Sequence, residues 1–61
     1  MDRYFVKPES QSAHCCFEYT VCDRTKPDMI VGEQYKDHYE AVCECFEEWQ
    51  AKLIADLLNR G

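Results

Sequence analysis

The chain has 61 residues, a net charge of -5 at pH 7 and a pI near 4.8. A domain of this size buries only about 60% of the surface that its unfolded chain exposes, so it is expected to need a staple or a partner. We interpret residues 1–61 as a single domain. Because nucleic-acid binding depends largely on lysine and arginine contacts with phosphates, the acidic balance argues against DNA or RNA as a direct ligand.

Five cysteines in so short a chain would indicate a disulfide scaffold if the protein were secreted. The stretch from Met1 to Pro8 has no apolar run long enough for the core of a signal peptide. No segment approaches the roughly 20 apolar residues of a membrane span. The sequence therefore predicts a cytoplasmic protein that does not enter the membrane and whose cysteines are reduced.

The first half of the chain predicts two strands. Residues 3–7 are aromatic and β-branched and end at Pro8, which is typical of an edge strand because proline cannot donate to a ladder. Residues 14–22 alternate between two faces, and Cys15, Phe17, Tyr19 and Val21 lie on the face expected to meet the core. Together the two segments predict a hairpin.

The middle of the chain is polar. Residues 23–28 combine aspartate and proline, which favours a turn. Residues 29–31 predict a brief strand. Residues 33–40 are polar apart from two tyrosines, and we expect a loop there.

Residues 41–59 supply most of the core-forming side chains and admit two interpretations. Apolar residues recur at spacings of three and four, which one long helix from about Lys36 would satisfy. Against it, residues 42–46 favour strand or are indifferent to helix, whereas the chain from Glu47 onward is rich in good helix formers. This shift favours a strand followed by a helix. The expected fold class is α+β, with a small antiparallel sheet of about three strands and one C-terminal helix packed on it.

The predicted helix has a narrow polar stripe formed by Lys52, Asp56 and Asn59, with apolar side chains over most of the remaining circumference. A helix on one face of a small sheet needs only about a 100° apolar arc. The surplus predicts a second interface, either in a homodimer or with another protein. We assign Leu53 and Leu57 to that interface.

An acidic run lies in and before the start of the helix. Its five members have no lysine or arginine between them and are Asp37, Glu40, Glu44, Glu47 and Glu48. The ordinary explanation is a solvated face. The functional one is a surface that docks on a basic patch of a host protein, including a patch that normally holds nucleic acid. Trp49 adjoins these acids and either packs in the core or a dimer, or anchors the interface, since tryptophan is enriched among binding hot spots.

Two runs of the sequence resemble a known group of proteins. They are Glu40 to Phe46 (EAVCECF) and Ala51 to Asn59 (AKLIADLLN). They are similar to the closing segment of many small phage- and prophage-encoded proteins of unknown function, in which a strand ending in Glu-Cys-aromatic leads into a helix ending in Leu-Asn. The resemblance implies a compact sheet with a C-terminal helix and a mobile-element origin, and it brings no active site. Residues 47–50 depart from the usual Asp-led helix start, so we expect a poorly capped helix.

Cysteine and histidine side chains could form a zinc site, which takes four such ligands in a tetrahedron. The spacing is poor, because no CxxC pair is present and Cys16 and Cys22 on one strand would be about 20 Å apart. The ordinary explanation is that the cysteines are buried as small apolar side chains. The alternative is a small structural zinc module. Its ligands would be Cys15, Cys16, Cys43 and Cys45.

No residue pattern indicates catalysis. His14 and Cys15 point to opposite faces of a strand, and His14 and Cys16 lie beyond hydrogen-bond reach, so neither pair activates a nucleophile. Only two glycines are present, which excludes a glycine-rich phosphate loop. The sequence therefore predicts a non-enzymatic protein without a cofactor. We expect it to homodimerise and to bind or inhibit a host factor through the acidic run and Trp49.

Overall fold

The computed structural model describes residues 2–11 and 16–61. Its elements are β1 (Tyr4–Lys7), β2 (Tyr19–Ile30), β3 (Glu33–Cys45) and α1 (Glu48–Arg60). The strands form one antiparallel sheet in the order β1-β2-β3, and α1 packs on one face of it. The α+β fold predicted from the sequence is confirmed.

The first predicted hairpin is present, although its second strand is shifted along the chain. β1 ends ahead of Pro8, as expected, and pairs with the first part of β2, with Tyr4 opposite Asp23. The second strand begins at Tyr19, so residues 16–18 do not belong to it, and the two residues before them lie outside the described part. The strand expected from residue 14 is wrong in this respect.

The turn expected at residues 23–28 and the loop expected at 33–40 are wrong. Both segments are strand and belong to β2 and β3, which are 12 and 13 residues long. Three register shifts interrupt their pairing, and two of them flank Pro27, which lies opposite Tyr39. Irregular positions of this kind accommodate residues that a regular ladder excludes.

The hairpin of β2 and β3 turns at two residues with positive φ, Val31 at 53° and Gly32 at 81°. Positive φ at both central residues is the property of a type I′ turn, whose twist suits antiparallel strands. Glycine adopts this conformation freely, whereas a β-branched residue is strained in it. Val31 is also 97% exposed, so no packing offsets the strain.

Replacing Val31 with asparagine is expected to raise the free energy of unfolding by about 1 kcal/mol, because asparagine tolerates the left-handed conformation. Urea unfolding at a fixed protein concentration measures the change. Val31→Ala is the matched control, since it removes the same exposed side chain but has no preference for the left-handed conformation. It should raise the free energy of unfolding by less than Val31→Asn does. A Val31→Asn variant no more stable than Val31→Ala would contradict the strained turn.

The end of the chain follows the predicted strand and helix. β3 runs to Cys45, so one long helix from about Lys36 is wrong. α1 begins at Glu48, and the side chain of its N-cap residue, Glu47, makes no capping hydrogen bond. The expected weak helix start is therefore confirmed.

The core between α1 and the sheet is built from small side chains. Val21 and Ala51 are fully buried, and Cys45 and Ala55 nearly so. The partly buried residues that pack around them are Tyr4, Val6, Tyr19, Cys43 and Ile54. No leucine, phenylalanine or tryptophan of the described residues is buried, so the core is thin.

A polar strap, residues 9–11, lies over the other face of the sheet. The buried Thr20 hydroxyl donates to the carbonyl oxygen of Glu9 at 2.6 Å and accepts from the backbone N–H of Gln11 at 3.1 Å. The Gln11 side-chain amide also donates to the carbonyl oxygen of Tyr39. The sheet is thus covered by the helix on one side and by the polar strap on part of the other.

Asn59 joins the end of α1 to β1. Its side-chain oxygen accepts from the backbone N–H of Tyr4 at 2.9 Å, and its side-chain amide donates to the carbonyl oxygen of Tyr4 at 3.0 Å. This pair reproduces the two hydrogen bonds that a neighbouring antiparallel strand would make. Asn59 therefore satisfies the edge of the sheet at Tyr4, where another strand could otherwise add.

Replacing Asn59 with alanine is expected to lower the free energy of unfolding by about 1 kcal/mol, because both exposed hydrogen bonds are lost. The backbone amide of Tyr4 should also exchange its hydrogen faster, which NMR can follow directly. Lys52→Ala on the same side of the helix is the control, and it should leave Tyr4 unaffected. Unchanged exchange at Tyr4 in Asn59→Ala would show that this edge is protected by other means.

Candidate functional site

α1 buries its small side chains and exposes its large ones. Ala51 and Ala55 face the sheet, whereas Trp49, Leu53 and Leu57 are 63%, 50% and 55% exposed. These three residues are four apart, so at about 100° per residue they form one ridge on the side of the helix away from the alanines. We call Trp49, Leu53 and Leu57 the apolar ridge. Its orientation reverses that of an ordinary amphipathic helix, which turns its large apolar residues toward the core.

Phe46 adds to the exposed apolar surface at the start of α1. It lies between β3 and the helix and is 55% exposed. Its ring stacks on that of Phe17, with centroids 4.8 Å apart and an angle of 26° between the planes. No functional role was predicted for Phe46 from the sequence. The apolar ridge is a contiguous exposed apolar surface, and such surfaces mark interaction sites, whereas isolated exposed side chains are ordinary.

Two of the five predicted acids lie at the start of α1. Glu47 is the N-cap residue of α1 and Glu48 is in its first turn, so both are next to Trp49 in the chain and exposed. Glu48 pairs with Lys52 one turn later, at 3.4 Å. An exposed pair at this spacing contributes little to stability. Glu47 and Glu48 therefore make the start of α1 acidic, while Glu48 points away from the ridge toward the side of Lys52, because successive helix residues are about 100° apart.

The other three acids lie elsewhere. Glu44 is opposite Thr20 in the sheet, and its side chain accepts from the Ser10 hydroxyl at 2.6 Å, on the face covered by the polar strap. Paired strand residues point to the same side, so Glu44 lies on the face away from α1. Glu40 and Asp37 lie further along β3, with Glu40 about 13 Å from Glu44. The structure thus distributes the predicted acidic run over several surfaces.

A salt bridge joins β2 to the residue before β1. The Arg3 guanidinium donates to the Asp23 carboxylate at 3.0 Å and 3.1 Å, and the carboxylate also accepts from the Thr25 hydroxyl at 2.7 Å and the Thr25 N–H at 2.9 Å. Asp23 is 3% exposed. The hydrogen bonds from Arg3, followed by those from Thr25, hold the pKa of the Asp23 carboxyl well below its usual range. Because its oxygens are engaged, we assign Asp23 to stability rather than to chemistry.

The cysteines of the described residues lie on different surfaces. Cys43 and Cys45 lie on the face covered by α1, Cys22 lies on the other face, and Cys16 is exposed. Burial raises the pKa of the Cys22 and Cys43 thiols, which keeps them protonated and poorly nucleophilic. Residues 2–11 and 16–61 contain no group of three or more side chains that could hold a metal ion. Cys15, the remaining ligand of the zinc alternative, lies outside the described residues.

Two adjoining depressions of about 630 and 380 Å³ lie between β1 and the second half of α1. Polar groups at their edge already bond within the protein, since Asn59 binds Tyr4 and Arg3 binds Asp23. In the described part of the chain, no buried side-chain nitrogen or oxygen lacks a hydrogen-bond partner. These depressions therefore present no buried, unpaired group of the kind that orients a small ligand.

Comparison of the chain with protein-family models, curated proteins and solved structures finds no match. Across residues 2–11 and 16–61, no helix has the length and apolar character needed to cross a membrane.

Proposed function

We propose that this protein is not an enzyme and acts by binding another protein through the apolar ridge and Phe46. The observation that supports this proposal is the reversed burial on α1, where alanines face the sheet and Trp49, Leu53 and Leu57 face solvent. Full burial of a large apolar side chain contributes about 1.5–3 kcal/mol, so covering one that is half exposed contributes about 1 kcal/mol. A partner that covers this face gains about that much binding free energy from each of these side chains.

The acidic start of α1 favours a partner with basic groups. Glu47 and Glu48 lie outside the apolar ridge, at the N-terminus of the helix, where charges affect the rate and salt dependence of association more than the final affinity. The resemblance to phage- and prophage-encoded proteins implies that this partner is a host protein. We expect the host protein to have a basic surface and to be inhibited when it is bound. A homodimer through the same ridge forms part of the proposal, and the host protein competes with the second copy for it.

Capture of host proteins on the immobilised chain tests this proposal when matched variants are compared. Leu53→Asp places a charge at the centre of the ridge and should abolish capture, while Glu47→Gln with Glu48→Gln should slow it and reduce its salt dependence. Glu44→Gln is the control, because Glu44 lies on the opposite face of the sheet. Circular dichroism checks that each variant folds. Capture that survives Leu53→Asp in a folded protein would contradict the proposed contact surface.

A further inference from the structure

We infer that the partner covering the apolar ridge is a second copy of this chain, with the two α1 helices packed antiparallel about a two-fold axis at Leu53. The inference rests on the proposed function, since it takes the apolar ridge to be a contact surface. It adds which protein occupies the ridge and in which orientation.

The thin core favours a partner on the apolar ridge. The largest fully buried side chains of the described residues are those of Val21, Thr20 and Cys22. Obligate dimer interfaces resemble a domain core cut in half, with large apolar side chains on each copy. The apolar ridge supplies the large side chains that the core of one copy lacks. A second copy is present wherever the chain is made, so it can cover the ridge before another protein does.

The charges along α1 select the antiparallel orientation. Glu47 and Glu48 lie at the start of the helix, and Arg60 in its last turn pairs with Asp56 at 2.6 Å. A parallel pair would place the acidic starts of both helices at the same end of the contact and align the helix dipoles side by side. An antiparallel pair instead separates the acidic helix starts and opposes the dipoles. The acidic helix starts and the helix dipoles therefore both favour the antiparallel orientation.

The spacing of the ridge fits a two-fold contact. Leu53 lies midway between Trp49 and Leu57, so a two-fold axis beside Leu53 brings the two copies of Leu53 together and sets each Trp49 against Leu57 of the second copy. Residues four apart form the ridges that interdigitate at a crossing angle of about -50°, with helix axes about 8–10 Å apart.

The area available matches that of a specific dimer. An aromatic side chain can bury about 150–250 Å², and Phe46 and Trp49 bring four aromatic rings, each more than half exposed, to the contact. With the leucines of both copies, the contact reaches the order of the 1,000 Å² that a specific interface requires.

Cysteine cross-linking tests the orientation with the full chain. Leu53→Cys should cross-link to itself under mild oxidation. Trp49→Cys and Leu57→Cys should each give few cross-links alone and many when mixed. Lys52→Cys, on the flank of the helix, is the control, and the unmodified chain sets the background from its own thiols. Trp49→Cys and Leu57→Cys variants that each cross-link to themselves, and not to one another, would overturn the antiparallel arrangement.

The unmodified protein provides a second test, since Trp49 is its only tryptophan. Its fluorescence emission should shift to shorter wavelength as protein concentration rises, in step with dimer formation in sedimentation. Leu53→Asp should weaken the dimer on the order of 30-fold or more. A chain that sediments as a monomer at high micromolar concentration would overturn the second copy as partner. If Leu53→Asp still abolished capture of a host protein in that case, the proposed function would stand without the dimer.

Discussion

Replacing Val21 with alanine is expected to lower the free energy of unfolding by about 2–3 kcal/mol. Val21 is fully buried, and its partners in the core include the small side chains of Cys45, Ala51 and Ala55, which cannot extend into the space left by two methyl groups. A domain of this length has a total stability of only about 3–9 kcal/mol. The substitution should therefore remove a large share of it, and urea or thermal unfolding at a fixed protein concentration measures the loss.

Val42→Ala is the matched control for this prediction. Val42 is in β3, next to Cys43, which is opposite Val21, but its side chain is 46% exposed. Removing the same two methyl groups from Val42 should therefore lower the free energy of unfolding by only about 0.5 kcal/mol. Equal losses at the two positions would show that the described core is not where the apolar stabilisation lies.

Local patterns predicted the two ends of the chain and failed in the middle. The shift from strand-favouring residues to good helix formers near Phe46 located the change from β3 to α1 within two residues, because both properties are local. The residues from Asp23 to Pro27 favour a turn locally, yet they belong to β2, where Asp23 and Pro27 pair with β3. Pairing with a distant strand decides their conformation. The register shifts that accommodate Pro27 cannot be predicted from a local sequence pattern.

The candidate surface could be predicted only in part. The helical period showed that α1 has more apolar residues than one sheet can cover, and it placed Leu53 and Leu57 at the predicted interface. Periodicity alone did not show that alanines would face the sheet, which depends on how closely the helix approaches β2. The sequence also did not predict that Glu44 and Glu47 lie on different surfaces, because the face on which a strand residue lies depends on strand register.

Replacing Asp23 with asparagine is expected to lower the melting temperature on the order of 5 °C or more at pH 7. The substitution keeps the size of the side chain but replaces one acceptor oxygen with a donor that faces the donors of Arg3 and Thr25. Burial of Asp23 at 3% exposure means that water cannot restore the lost hydrogen bonds. Thermal unfolding followed by circular dichroism measures the change.

The pH dependence of this difference separates the carboxylate from the shape of the side chain. The pKa of Asp23 is lower in the folded protein than in the unfolded chain, where it is about 3.9. The folded state therefore favours the ionised carboxylate, and this stabilisation is fully present above the unfolded pKa and is lost as the pH falls below it. The gap in melting temperature between the unmodified chain and Asp23→Asn should thus be constant from pH 5 to 7 and narrow below about pH 4. Asp28→Asn, at an exposed aspartate of the same strand, is the control, and its melting temperature should stay close to that of the unmodified chain at every pH. If the difference in melting temperature for Asp23→Asn did not change between pH 7 and pH 2, charge would play no part in it.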